Sequence, residues 1–233
     1  MMKKNASLQN QGGSLRLFFI LGLFFGLLFL SPYPPEASTQ CLEGNRIAAE
    51  VTRTLDSYQG VKIDGAFDVE IKQEESWNVK ISGDENLLAH VVTTLEKNVL
   101  KVFVKESICS KIPLKLSIGA PSFHFLDIDG AGTLVSRMEQ NALKVTANGS
   151  FDILLQGKLQ SLVLEARGAT STNAQQLEAK NVSAKVHETA TVLVSAENKL
   201  VIECFDASSV KYSGSPKTKN IRVNDVCDVM NSL

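Results

Sequence analysis

One nine-residue motif returns along most of this chain and limits what the chain can fold into. Ile63-Asp-Gly-Ala-Phe-Asp-Val-Glu-Ile71 aligns position by position with Ile128–Ser136, Ala147–Leu155 and Ala166–Ala174. Three weaker copies follow at Val186–Val194, Cys204–Tyr212 and Val223–Asn231. Their third residues are Gly65, Gly130, Gly149, Gly168, Glu188, Asp206 and Asp225, and from Gly130 onward these stand 19, 19, 20, 18 and 19 residues apart. A fixed period near twenty is the signature of stacked repeats.

Each copy reads as one coil. Before the third position, apolar residues alternate, as in Leu143, Val145, Ala147 and Leu200, Ile202, Cys204. After it the same parity continues, as in Phe151, Ile153, Leu155. Side chains two apart on a strand share a face, so both arms point into one interior. The third position is the corner, where Gly with a preceding Asp64, Asp129 or Asn148 supplies turn chemistry. A lone coil cannot bury its apolar face, but a stack can. A β-sandwich would not keep a corner glycine or acid at so regular a spacing. The pattern predicts an all-β fold, a right-handed parallel β-helix or β-solenoid with coils of about 19 residues over 121–231.

An N-terminal β region over 60–120 precedes the coils. Val61–Ile71, Trp77–Ile81, Leu100–Val104 and Ile112–Ile118 alternate with period two. Between them, Leu87, Leu88, Val91, Val92 and Leu95 lie at helical spacing behind Asp84, a good N-cap. This predicts a short helix over about 84–97, with His90 just off its apolar stripe. Residues 38–59 read as a polar lead-in, and 60–231 as one domain.

Lys3, Lys4 and Arg16 precede the apolar run Leu17–Leu30, which Ser31-Pro-Tyr-Pro-Pro35 ends. That run suits a signal-peptide core and is short for a bilayer span. Segment 1–37 is therefore a signal peptide, cleaved near Ala37, or an uncleaved N-terminal anchor. The second case would give the chain its one contact with membrane. Beyond residue 37, 21 basic and 24 acidic residues leave a net charge of −3, which excludes a general attraction to nucleic acid.

Four cysteines remain after export, with three possible pairings. Cys204 is the first residue of its coil and Cys227 the fifth of the next, so both face inward beside a corner. That placement fits a disulfide, and Cys41–Cys109 follows by elimination. No CxxC and no His at ligand spacing calls for a metal, and no motif calls for a cofactor.

The residues resemble the "putative auto-transporter adhesin, head GIN domain" family. The opening strand Val61–Ile71, the stretch Gly83-Asp-Glu-Asn-Leu-Leu88, the segment Gly119-Ala-Pro-Ser-Phe123 and the ladder of corners carry the likeness over about 57–231. The last three corners depart from it, with Glu188, Asp206 and Asp225 in place of glycine. The resemblance implies a right-handed β-helix-like fold, a bacterial envelope or surface role, and no catalytic residues.

The candidate binding residues come from the outward parity. The sixth repeat position reads Asp68, Thr133, Asp152, Ser171, Thr191, Ser209 and Asp228. Stacking turns these into a straight ladder of small polar groups, able to hydrogen-bond a glycan or a surface protein. The eighth position places Val135, Leu154, Leu193 and Met230 outward, to be covered by the N-terminal strands or to form a self-association patch. His90, His124 and His187 sit in no catalytic motif. Asp127 and Asp129 with Asp64 are the acids a polysaccharide-active enzyme could use, while as corner acids they would serve turn amides. The sequence thus points to an exported, non-catalytic, adhesin-like module. A polysaccharide-active enzyme and a self-associating envelope protein are the alternatives.

Overall fold

The fold is that of a computed structural model, which describes residues 41–232. The export segment 1–37 lies outside the described residues. Among the described residues the fold is all-β, with one helical stretch, a 3-10 turn at Glu85–His90.

Two long strands organise the rest: β3 (Gly60–Gln73) and β9 (Phe125–Ala166). They pair in parallel from Gly60↔Phe125 to Lys72↔Arg137, so Gly65 stacks on Gly130 and Asp68 on Thr133. Both pass through the corner without a break, and each contributes to two walls.

On the wall after the corner, β9 is followed by β10 (Ser171–Ala174), β12 (Thr191–Ser195), β14 (Ser209–Ser213) and β16 (Asp228–Asn231), all parallel. On the wall before it come β11 (Leu177–Val186), β13 (Lys199–Cys204) and β15 (Thr218–Val223), also parallel. In-register partners along the first wall run Asp152, Ser171, Thr191, Ser209, Asp228, the spacing read from the sequence.

Like stacks on like inside. Leu143, Leu162, Val182 and Leu200 form one buried row, and Val145, Leu164, Ala184 and Ile202 the next. Burying such side chains stabilises by roughly 1.5–3 kcal/mol each, and each row is completed only by its neighbouring coils.

The corners come in two kinds. Gly65, Gly130 and Gly149 have φ between 98° and 132°, which only glycine adopts readily, and there the strand runs on unbroken. At Glu188, Asp206 and Asp225 φ is 58–63°, the left-handed helical region, and the strand is interrupted by a turn. The later corners are differently turned, which is what lets an acid stand where glycine stood.

The N-terminal region departs from the sequence expectation. The sheet is mixed, because β4 (Asn78–Asp84) pairs antiparallel with β8 (Lys115–Ala120) and with β2 (Ala48–Thr54). A helix over 84–97 does not form. After the 3-10 turn, β5 (Val91–Glu96) pairs antiparallel with β6 (Val99–Val104), which itself lies parallel to β3. Val91-Val92-Thr93-Thr94 is a β-branched run that prefers strand. Lys97 and Asn98 both have positive φ, the geometry of a two-residue hairpin turn.

Residues 38–59 are more than a lead-in where they are described. β2 extends the sheet as an edge strand, and β1 (Leu42–Glu43) pairs with β7 (Ile108–Cys109). Among the described residues, no helix is long and apolar enough to cross a membrane.

Candidate functional site

The hydroxyl and carboxylate groups of the sixth position fall in one column on the outer face of the post-corner wall. Asp68 faces Thr133, whose Oγ1 donates to Asp68 Oδ1 at 2.8 Å. Asp152, Ser171, Thr191, Ser209 and Asp228 are direct register partners in turn. Thr133 and Asp152 are exposed, and Ser171, Thr191 and Ser209 are half-buried between neighbouring side chains. The column has no large side chain, so the backbone beneath it is the floor of a smooth strip.

Beside it runs the eighth-position column. Val135 and Met230 are 41% and 42% exposed. The N-terminal strands do not cover them. They continue the sheet edge to edge in the order β9, β3, β8, β4, β2. Where the sheet widens, Asp68, Glu70, Lys72, Lys80, Lys115 and Thr133 border a shallow hollow of about 580 Å³. Sequence reasoning missed this widening, because nothing local in β2 or β4 says which strand each joins.

Both expected disulfides are present. Cys41–Cys109 has a Cα separation of 5.5 Å and Cys204–Cys227 one of 5.9 Å. The first ties the β1 segment to the strand region, and the second ties the last coil to the one before it. Cys41, Glu43 and Cys109 come within metal-ligand spacing, but both sulfurs are spent in the disulfide and offer no thiolate.

Asp84 stands at the N-cap position of the 3-10 turn, but its carboxylate makes no capping bond there. It is fully buried and accepts backbone N–H bonds from Arg46, Lys111 and Ile112 at 2.7–2.9 Å. Burial alone would raise its carboxyl, but those three bonds and the Lys111 charge outweigh it and hold the group below its ordinary value. Asp84 thereby knits the disulfide-bonded segment to the sheet.

The acids weighed for hydrolysis lie before the corner. Lys62 Nζ bonds Asp127 at 2.6 Å. Asn148 Nδ2 donates to both oxygens of Asp129 at 3.2 Å. Asp127 is thus neutralised and Asp129 is held by a side-chain amide of the next coil. Asp64 lies directly opposite Asp129 in register. His187 stacks on Phe205 with ring centroids 4.6 Å apart, and its Nδ1 is 4.0 Å from Asp206. His90 Nδ1 lies 3.6 Å from Glu106. Neither histidine has a hydroxyl or thiol bonded to it as a nucleophile would be, while His124 stands exposed on the segment leading into β9.

At the later corners, Glu188 N–H donates to Asp206 Oδ2 and Asp206 N–H to Asp225 Oδ2, at 2.9 and 3.3 Å. Asp206 and Asp225 thus each cap the amide of the corner before them.

Parallel coils with a polar outer column and two disulfides define an all-β domain of stacked strands. The chain belongs to the family described as "Putative auto-transporter adhesin, head GIN domain", whose profile matches residues 57–216. Among solved structures it is similar to a putative adhesin from Bacteroides fragilis, with 17% identity and a TM-score of 0.60, covering 82% of this chain and 100% of that one. It is also similar to a putative lipid binding protein from Parabacteroides distasonis, with 14% identity and a TM-score of 0.49, covering 83% of this chain and 100% of that one. No curated protein matches its sequence significantly.

Proposed function

We propose that this chain is an exported bacterial envelope or surface module that binds without catalysis. In this reading its coils wind as a right-handed parallel β-helix. The outer column Asp68, Thr133, Asp152, Ser171, Thr191, Ser209 holds a glycan on a bacterial or host surface. The observation that carries it is the register of that column: Asp68 pairs with Thr133, and four successive parallel pairings run from Asp152 to Asp228, placing small acceptors and donors at strand spacing. Rungs about 4.8 Å apart suit repeated hydroxyls along a polymer. The neighbouring Val135 and Leu154 would meet the ligand's apolar C–H faces. Family membership and two disulfides, which persist in oxidising compartments, support the placement outside the cytoplasm.

The test is a glycan and surface-protein array probed with the full chain and with the pair Asp152→Ala/Ser171→Ala. We expect a ligand whose binding falls at least tenfold in the pair while the melting temperature holds. Equal binding by the pair to every ligand found would remove the ladder from the account.

A further inference from the structure

On the wall before the corner, β6, β3 and β9 set their outer side chains in two rows. The first is Lys101, Lys62 and Asp127, and the second is Phe103, Asp64 and Asp129. The rows border a hollow of about 250 Å³.

The first row is electrically complete. Glu96 pairs with Lys101 at 2.6 Å, and Lys62 pairs with Asp127 at 2.6 Å. The second row is not. Asp64 and Asp129 are direct cross-strand partners, and like charges so placed are destabilising. Among the described residues, no lysine or arginine forms an ion pair with either one. Asp129 receives only the Asn148 amide, at 3.2 Å to each oxygen. A half-buried phenylalanine, Phe103, stands beside Asp64 on the next strand and lines the same hollow. A local rule broken beside an aromatic wall is where function is expected.

The chemistry narrows the ligand. The two carboxylates stem from adjacent strands about 4.8 Å apart on an open face, an arrangement that spreads acceptors along the surface. Asn148 adds an amide that both donates and accepts. Phe103 adds an apolar platform at one end. Two acceptors and a flat ring, spread over two strand spacings or about 10 Å with the amide one rung beyond, match a molecule with hydroxyls around its edge and C–H groups on its face.

We propose that this hollow is a saccharide subsite taking one hexose-type ring of a neutral glycan. Phe103 lies under the ring, Asp64 and Asp129 accept from its hydroxyls, and Asn148 fixes the Asp129 carboxylate. The proposal rests on reading the chain as a surface binding module, but it uses a different wall from the ladder.

The experiment uses the full chain on an array of neutral and amino-bearing oligosaccharides, followed by calorimetric titration of the best neutral glycan. Wild type is compared with Phe103→Ala, Asp64→Asn, Asp129→Asn and the ladder pair Asp152→Ala/Ser171→Ala. Asp64→Asn keeps shape and removes charge repulsion, so it reports on binding even if Phe103→Ala loosens the sheet. We expect each hollow variant to bind at least tenfold more weakly, with wild-type binding little changed by about 0.5 M salt, where exposed charges are screened. Absence of any neutral ligand overturns the proposal. So do hollow variants that bind like wild type, or binding confined to amino-bearing glycans and abolished by salt. A loss confined to the ladder pair sinks the hollow and keeps the ladder. A loss confined to the hollow variants does the reverse.

Discussion

A Cβ placed on Gly149 would lie 2.1 Å from the carbonyl oxygen of Gly130, and one on Gly130 would lie 2.2 Å from that of Gly65. These corners are glycine because the next coil's backbone occupies the space and because φ exceeds what other residues reach. Gly149→Ala should therefore cost roughly 2–4 kcal/mol through strain and displaced backbone. Glu188 occupies the left-handed helical region instead, so Glu188→Gly should change stability by no more than about 1 kcal/mol. Urea unfolding of the two variants checks the contrast, and equal losses would contradict it. Asp84 makes a prediction in pH. Its folded carboxyl titrates below the ordinary 3.8, so the fold favours the ionised form. Its stabilisation is complete above about pH 4 and is lost as the pH falls through the lower folded value. Asp84→Asn should lower stability at pH 7 and flatten the acid limb below about pH 4. An unchanged limb in pH-dependent urea titrations would show that Asp84 carries none of it.

The element most misjudged from sequence is β5. Leu87, Leu88, Val91, Val92 and Leu95 satisfy a helical period, but Val91, Thr93 and Leu95 satisfy period two equally well. Periodicity alone cannot separate these over so short a run. What decides is the hairpin partner β6 and the turn Lys97-Asn98, whose positive φ values suit an asparagine followed by a glycine better than the native pair. The double substitution Lys97→Asn/Asn98→Gly should raise stability by about 0.5–1 kcal/mol in thermal unfolding. A loss would mean that the native turn residues make contacts of their own. The strand β2 was hidden for another reason. Ala48-Ala-Glu-Val-Thr-Arg-Thr54 is an edge strand with no fully buried residue, and its partner β4 lies about thirty residues on. An apolar pattern is legible only where a face is buried, and pairing across such a distance leaves no local trace. The coil strands β10 to β14 were readable because each buries one parity, whereas β15 and β16 at the end of the stack bury neither.

For the molecule as a whole, the period of the corners and the first-to-fifth offset of Cys204 and Cys227 carry into three dimensions. So does the column of small polar residues. Each depends on one repeating distance, which the sequence encodes many times over. The mixed sheet at the N-terminal end depends on contacts made once, and it was not legible. The hollow at Phe103, Asp64 and Asp129 also escaped notice, because it joins the opening strand to a strand about forty residues later and then to the first coil. Successive coils stack in register, so that outer side chains form straight ladders, the surface on which binding is proposed. Spin labels at Thr133 and Asp228, with intervening rungs at Asp152, Ser171, Thr191 and Ser209, test this stacking most directly by pulsed dipolar spectroscopy. Five rungs of about 4.8 Å predict a backbone separation of about 24 Å, and moving the first label to Asp68 should lengthen it by one rung. A distance that fails to grow with rung number would contradict the stack and the binding face built on it.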